Sequence, residues 1–294
     1  IRTWAKDTGR KVIGSTPADV PEEVVYAFGF LPVTILGTHK PLKKAPVHLP
    51  DNACSLARSN LELALTYEGD LFAGFVLPQV CDTTQHLSDI WRINFPGRFV
   101  ECYLAPRQAD RPSARYWVKE EIERLIDSLS QWSGKKITDG DLERAIEVHN
   151  ENKKLLKEIY DFKKENPLAV TNKELFSMIK LSQQVDKEEF NKSLKKIKDE
   201  LKPGKAEGFT NVILVGITCD PPELYDLFEE IKLNVVGDSL VDGTRYLQGV
   251  VPKNGAPIES LTERHFTRGF FSPIHDDVYK NFEQTKNLYK TSGA

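Results

Sequence analysis

Apolar and polar positions follow two rhythms along this chain. Lys11-Val12-Ile13-Gly14, Leu31 to Leu36, Leu71 to Leu77 and Phe99 to Leu104 are short, mostly apolar runs that predict strands. Leu71 to Leu77 is almost wholly apolar, as a strand covered on both faces would be. Between these runs the spacing turns helical. Pro21-Glu22-Glu23 opens a helix through Phe28, with proline in the first turn, acids at the positive end, and Gly29 placed as a C-cap. Cys54 to Tyr67 sets Leu56, Leu61 and Leu65 at helical intervals, and Asp82 to Trp91 reads as another helix. Strand and helix in alternation predict a parallel sheet covered by helices.

From Arg111 to Leu201 the strand rhythm stops. Pro112 to Gln131 carries Trp117, Ile122, Leu125 and Ile126 at helical spacing, and Thr138 to Lys164 begins on a cap-like Thr138-Asp139-Gly140-Asp141. Interleaved Lys and Glu here read as a solvated helical face. The alternation returns after the linker Lys202-Pro203-Gly204-Lys205. Asn211 to Gly216 is a strand, Pro222 to Lys232 a helix, Leu233 to Gly237 a strand and Val278 to Lys290 a helix. The expected organisation is α/β: a first sheet domain over residues 1–110, a helical segment over 111–205 and a second sheet domain over 206–294. A further strand is expected after the last helix, so the second domain reads as truncated at its C-terminus. The chain opens on Ile1 rather than Met, which suggests residues upstream.

Composition narrows the function classes. The 294 residues are 40% hydrophobic and 28% charged, with net charge −3. These are values of an ordinary globular protein with no basic field to attract nucleic acid. The longest apolar runs, such as Phe72 to Pro78, fall far short of the roughly 20 residues that span a bilayer. A cytoplasmic location is the default expectation. Four cysteines in a chain of this size do not make a disulfide framework, so each is a buried thiol, a reactive thiol or a metal ligand.

In parallel α/β sheets, ligands collect beyond the carboxyl ends of the strands. Cys81 falls there, after Phe75-Val76-Leu77 and Pro78-Gln79-Val80 and just before a helix. Its N-terminal amides and dipole suit an anionic or metal-bound sulfur. Cys54 precedes another helix, after Pro50-Asp51-Asn52-Ala53. The two are 27 residues apart, so only the fold could bring them together. Iron–sulfur clusters take three or four thiolates, and spacing alone leaves a pair of ordinary buried thiols equally open.

The local residues carry a resemblance. Asp51-Asn52-Ala53-Cys54-Ser55-Leu56-Ala57-Arg58-Ser59 resembles the first cysteine motif of the 2-hydroxyacyl-CoA dehydratases and ATP-dependent benzoyl-CoA reductases. Leu77-Pro78-Gln79-Val80-Cys81-Asp82-Thr83 resembles the second. Pro21-Glu22-Glu23 with Ala27-x-Gly29-x-x-Pro32 resembles the family's first helix and second strand. Val212 to Gly216, Pro222-Glu223-Leu224, Val235-Val236-Gly237-Asp238 and Gly243-Thr244-Arg245-Tyr246 follow in the expected order.

The resemblance implies two Rossmann-like domains with helices between them. It implies a heterodimer with a related cluster-binding subunit, each subunit holding a 4Fe-4S cluster through three cysteines. It also implies an acyl-CoA substrate and an ATP-hydrolysing iron–sulfur activator that delivers one low-potential electron. Cys54 and Cys81 would be two of the cluster ligands, with the third beyond Ala294. Cys102 and Cys219 match no family motif and are expected to be structural. An open iron site could act as a Lewis acid and pass an electron inward to make a ketyl radical anion.

Around this core, Ser15, Thr16 and Asp19 in the loop after the first strand are candidate polar groups, with turn chemistry the competing account. His86, one helical turn after Asp82, is a candidate proton donor or an ordinary surface histidine. Lys40, Lys43, Lys44 and Arg107 to Arg111 could hold CoA phosphates or simply be solvated. Pro106-Arg107-Gln108-x-Asp110-Arg111-Pro112-Ser113-Ala114-Arg115 and Ser88-Asp89-Ile90-Trp91 resemble the reductase branch more than the dehydratase branch. Three functions are therefore carried forward: a benzoyl-CoA-type reductase subunit, a 2-hydroxyacyl-CoA dehydratase subunit, and a non-catalytic cluster-carrying electron-transfer subunit. The printed sequence contains no Gly-x-x-x-x-Gly-Lys-Ser/Thr phosphate loop, which fits energy arriving through a partner.

Overall fold

The computed structural model describes residues 1–17, 20–68, 70–106, 108–204, 208–219, 221–253, 255–267 and 286–287. The chain forms two compact units. One comprises Ile1–Ile146 and Val251–Phe266, the other Glu147–Val250 and Thr267–Ala294.

The first unit begins with α1 (Arg2–Thr8), followed by β1 (Val12–Ser15), α2 (Glu22–Ala27), β2 (Leu31–Thr34), α3 (Ser55–Leu63), β3 (Phe72–Pro78), α4 (Asp82–Asn94) and β4 (Phe99–Tyr103). All four strands are parallel, in the order β2-β1-β3-β4. α5 (Ala114–Ser133) and the start of α6 (Asp139–Glu165) follow, and α11 (Pro257–Thr267) belongs to the same unit. Side chains of α2, α5 and α11 pack with Ile13 and Val76 on one face of the sheet. Those of α3 and α4 pack with Val12, Phe72, Phe75 and Leu77 on the other. The period-2 alternation of the strands thus becomes two cores on opposite faces. One is aromatic: Phe75 lies 5.2 Å from Phe72, 5.8 Å from Trp91 and 5.1 Å from Phe95, centroid to centroid. Gly14 and Gly74 let these rings and strands approach, because a Cβ would sit 2.9 Å from the Phe72 and Phe75 rings at Gly14 and 2.7 Å from the Phe99 backbone oxygen at Gly74.

Buried charge fastens the unit. Glu23, in the first turn of α2, accepts from Arg264 Nη1 of α11 at 2.6 Å, both side chains being almost fully buried. Glu62 of α3 accepts from Lys44 N at 2.7 Å, Ala45 N at 2.8 Å and Thr66 Oγ1 at 2.7 Å. Burial pushes this carboxyl up, but the hydrogen bonds from Ala45, Thr66 and Lys44 outweigh it and hold the group below its ordinary range. α3 runs on into a π-helical turn, Ala64–Glu68.

The second unit holds the rest of α6, then α7 (Asn172–Ser182), α8 (Lys187–Glu200), β5 (Thr210–Leu214), α9 (Glu223–Glu230), β6 (Leu233–Asp238) and α10 (Thr244–Leu247). β5 and β6 are parallel. The expectation of helix and no strand between Arg111 and Leu201 holds for the described residues. α1, α10 and α11 were not anticipated: α1 and α10 are short, and the polar residues of Pro257–Thr267 mask its apolar face. The helix expected over Val278 to Lys290 lies outside the described residues apart from 286–287, and so does Asp19. Phe176 stacks on Tyr225 at 4.8 Å to seal the core of this unit.

Polar groups cluster at the carboxyl end of β6. Asp238 accepts from Tyr160 Oη, Leu240 N and Thr244 N, each at 2.9 Å. Burial raises its carboxyl against those hydrogen bonds. Asp242 has one oxygen 3.5 Å from Lys180 Nζ and the other buried without a partner. Burial pushes Asp242 up to about 6, against the pull of Lys180.

Two outcomes follow from these buried charges. Arg264→Met leaves Glu23 buried without its cation and costs about 3–5 kcal/mol of stability, whereas Glu23→Gln/Arg264→Met recovers most of that loss; urea unfolding of the four proteins in the cycle measures it. Asp242 holds its proton to higher pH in the folded than in the unfolded chain. Its contribution is therefore complete below about pH 4 and is lost as pH rises through about 6. Relative to Asp242→Asn, wild-type unfolding free energy falls by on the order of 3 kcal/mol across that window. A flat difference between the two proteins would overturn the assignment.

Candidate functional site

The sequence pointed to two cysteines, and the topology of the first unit places both at one edge. α4 starts where β3 ends, separated from it only by Gln79, Val80 and Cys81, so Cys81 stands at the carboxyl end of β3 as the N-cap of α4. α3 runs through its π-helical turn to within a few residues of Phe72, where β3 begins. The opposite end of α3, with Cys54 as its N-cap, therefore lies toward the carboxyl edge. Ser59 of α3 agrees: its hydroxyl donates to Thr38 O at 2.8 Å and accepts from Thr38 N at 2.6 Å, just past the end of β2. Gly37 permits that approach, since a Cβ there would sit 2.5 Å from Ser59 Oγ. α3 and α4 share one face of the sheet and touch each other. Both cysteines thus head helices on the same face at the same edge.

All four cysteines are free thiols: Cys54 exposed, Cys81 and Cys102 half-buried, Cys219 buried. Thr84, one turn into α4, accepts from Val80 N and Cys81 N at 3.0 Å each. Its hydroxyl donates to Cys81 O at 2.9 Å and reaches Sγ at 3.7 Å. The Cys81 turn is therefore built in place. Cys54 has no side-chain cap bond, and its turn is held from outside. Ala53 N donates to Pro50 O at 3.0 Å, Arg58 N donates to Cys54 O at 3.1 Å, and the Arg58 guanidinium grips Asp51 O at 3.0 Å and Asp51 Oδ1 at 3.1 Å. Arg58 Nε is buried with no acceptor.

Cys102 and Cys219 sit differently. Cys102 lies within β4, where burial pushes its thiol up against a hydrogen bond from Ser88. Cys219 belongs to the second unit, and its carbonyl accepts from Lys180 Nζ at 2.8 Å and Tyr225 Oη at 3.2 Å. Of the other candidates, Ser15 ends β1 half-buried, with its carbonyl accepting from Ile35 N at 2.7 Å, and Thr16 beside it is buried. β1 and β3 are neighbours, so Ser15 and Cys81 follow adjacent strands. In this strand order the connections diverge between those two strands, which is where α/β sheets open a crevice. His86 is exposed on α4. Lys40, Lys43, Lys44 and Arg111 are exposed, and Lys44 Nζ donates to Leu65 O at 2.8 Å. Arg107 lies outside the described residues.

The donors present fit an iron–sulfur cluster in kind. Free thiols at helix N-termini suit a soft, anionic centre, and the orphaned Arg58 Nε is a donor without an acceptor one turn from Cys54. They are a partial set: among the described residues no three His, Cys, Asp or Glu side chains gather as a metal site. Sequence reasoning did not single out Arg58. Its signal was an arginine four residues after a helix-capping cysteine. It also missed Asp242 and Lys180, which carry no motif. Among the described residues, no helix is long and apolar enough to cross a membrane.

Comparison with known proteins supplies the family. A benzoyl-CoA reductase subunit of Thauera aromatica is 30% identical over 269 residues, 89% of this chain and 69% of that protein. The beta subunit of (R)-phenyllactyl-CoA dehydratase from Clostridium sporogenes is 28% identical over 296 residues, the whole of this chain and 79% of that protein. The beta subunit of lactoyl-CoA dehydratase from Anaerotignum propionicum is 28% identical over 264 residues, 88% of this chain and 70% of that protein. The family model described as 2-hydroxyglutaryl-CoA dehydratase, D-component, matches residues 17–294, and the chain belongs to that family.

Proposed function

We propose that this chain is the cluster-bearing subunit of an anaerobic, ATP-dependent enzyme that reduces an aromatic acyl-CoA by low-potential electron transfer, in the manner of a benzoyl-CoA reductase. The observation that carries the reading is the pair of free cysteines, Cys54 and Cys81, capping two helices on one face at the carboxyl edge of a parallel sheet. Its support from outside the chain is the similarity to a benzoyl-CoA reductase subunit. Cys54 and Cys81 supply two thiolates to a 4Fe-4S cluster. When bound, that group offers one-electron chemistry at low potential and an iron able to polarise a substrate oxygen.

The rest of the work falls to the chain. Arg58 and Thr84 fix the turns that carry the sulfurs. Ser15, at the end of the neighbouring strand, offers a hydroxyl to the same edge. His86 Nδ1 or Nε2 is a group from which a proton could be relayed. A related subunit closes the site against water, and an ATP-hydrolysing activator delivers the electron.

A second reading has its own observation. The phenyllactyl-CoA dehydratase subunit matches the whole of this chain, and a dehydratase would return the electron after eliminating water. The same fold and the same cysteines serve either outcome, so substrate decides between them.

Two measurements test these readings. Protein purified without oxygen carries iron and sulfide. Cys54→Ala and Cys81→Ala each lose most of both while keeping the wild-type circular dichroism spectrum, and Cys102→Ala loses neither. Iron content unchanged in both ligand variants would remove the cluster assignment. In the reconstituted complex with activator and reductant, turnover of benzoyl-CoA to a reduced ring supports the reductase, and turnover of a 2-hydroxyacyl-CoA to an enoyl-CoA supports the dehydratase. Turnover that persists with ATP withheld from the start, or by the lone chain, contradicts both.

A further inference from the structure

We propose that Arg58 is a positioning residue for the Cys54 ligand, clamping its turn through Asp51 and offering its Nε–H to the anionic ligand set; this rests on the cluster reading above. Cys54 is the exposed cysteine at the site edge and lacks a cap bond of its own. Among the described residues, the ties on its turn run to Pro50 and to Arg58. Arg58 N holds Cys54 O, and Arg58 Nη1 and Nη2 hold the carbonyl and carboxylate of Asp51. The side chain thus fixes the Asp51 end of the segment 51–54, while the Cys54 end carries the backbone bond that opens the helix.

The clamp is unusual in its burial. The Arg58 side chain is 19% exposed while Asp51, its partner, is 94% exposed. A fully solvated carboxylate contributes little as an ion pair, so attraction to Asp51 alone does not account for keeping a guanidinium out of water. Arg58 Nε is out of water with nothing to donate to. A buried donor without an acceptor carries a desolvation penalty of about 1–3 kcal/mol. An acceptor that arrives with the ligand set removes it. Sulfur in a thiolate-bound cluster is such an acceptor, and hydrogen bonds to the sulfurs are among the factors that set a cluster's potential.

A lysine cannot replace this arrangement. Its single ammonium cannot grip two oxygens of Asp51 in a planar fork and keep a third donor in plane. The positive charge alone is therefore not the property at issue.

The test uses the protein purified anaerobically from its own host with the subunits that co-purify. Two quantities are read: the rate of iron release to a ferrous chelator, and the midpoint potential of the cluster by redox titration followed by electron paramagnetic resonance. Arg58→Met and Arg58→Lys release iron about 10–100-fold faster than wild type, the usual cost of removing a residue that orients a metal ligand. Arg58→Met also shifts the midpoint potential to more negative values, because a donor to the reduced, more anionic centre is gone. Asp51→Ala, which removes an exposed carboxylate and leaves the core intact, releases iron severalfold faster and keeps the potential near wild type. Arg92→Met, which removes an exposed arginine on α4, changes neither.

Should Arg58→Met fail to fold, Arg58→Lys and Asp51→Ala carry the test. Wild-type release rates in both overturn the proposal, and so does an unshifted potential in a folded Arg58→Met, which would leave Arg58 a mere structural clamp. A wild-type protein with no iron and sulfide overturns the cluster assignment itself. A loaded protein with indifferent Arg58 variants overturns only this inference.

Discussion

Parallel strands cannot be joined by tight turns; each connection must cross back over the sheet before the next strand can start. With helices as the crossing elements, their N-termini gather at the carboxyl edge. β1 to β4 are all parallel, and α2, α3 and α4 all cross back in this way. The edge thereby collects helix dipoles, unsatisfied amides, Ser15 at the end of β1 and the turns that carry Cys54 and Cys81. Nothing in the two cysteine motifs would place them at the same edge without this constraint. The choice of side does the rest, because α3 and α4 pack into the same aromatic core around Phe75 and Trp91.

That edge needs rigid support. The helices α2, α3 and α5 are each fixed by a buried or half-buried polar contact to a different part of the chain. Glu23 at the start of α2 is held by Arg264 from α11. Ser59 of α3 is held by the Thr38 backbone, and Glu62 of the same helix holds the Lys44 and Ala45 amides. Arg124 of α5 donates to Glu101 at 2.7 Å and to the Cys102 carbonyl at 2.7 Å, tying that helix to β4. These contacts lock position more than they add net stability, since a buried ion pair is worth little over apolar residues of the same shape. A site whose sulfurs must stay in place needs that fixity.

The first unit was readable from its pattern because its strands are short apolar runs and its helices carry ordinary start signals. Pro21-Glu22-Glu23 and Asp82 mark α2 and α4 within a residue. The expected end of the second strand at Leu36 overshoots Thr34, because the apolar run continues past the last bond to β1, from Ile35 N to Ser15 O. The helix over Cys54 to Tyr67 is α-helical only to Leu63; Glu62 and Thr66 bond to each other across the point where it loosens into the π-helical turn. What periodicity could not show is long-range closure. α11 returns to the first unit after Glu147–Val250 of the second unit, and the Glu23–Arg264 pair that seals it spans 241 residues. No local window contains that information.

The cysteine edge was legible in kind, and its geometry was not. The residues around Cys54 and Cys81 carry a family likeness, but their separation of 27 residues says nothing of where the fold puts them; the strand order and the shared face of α3 and α4 place both at one edge of the sheet. Arg58 stands within that likeness as one letter of a motif. Its arrangement becomes visible only in the fold, where two of its nitrogens reach Asp51 and the third, Nε, has no acceptor. The second unit offers the converse lesson. Val235 to Asp238 and Gly243 to Tyr246 stand out as sequence, yet it is the packing that makes them chemically distinctive. Asp238 is satisfied by Tyr160, Leu240 and Thr244, and Asp242, four residues on, keeps one oxygen without a partner. Two carboxylates in the same loop therefore differ in chemistry through their hydrogen bonds, a distinction that residue type cannot carry and that a folded carboxyl edge can.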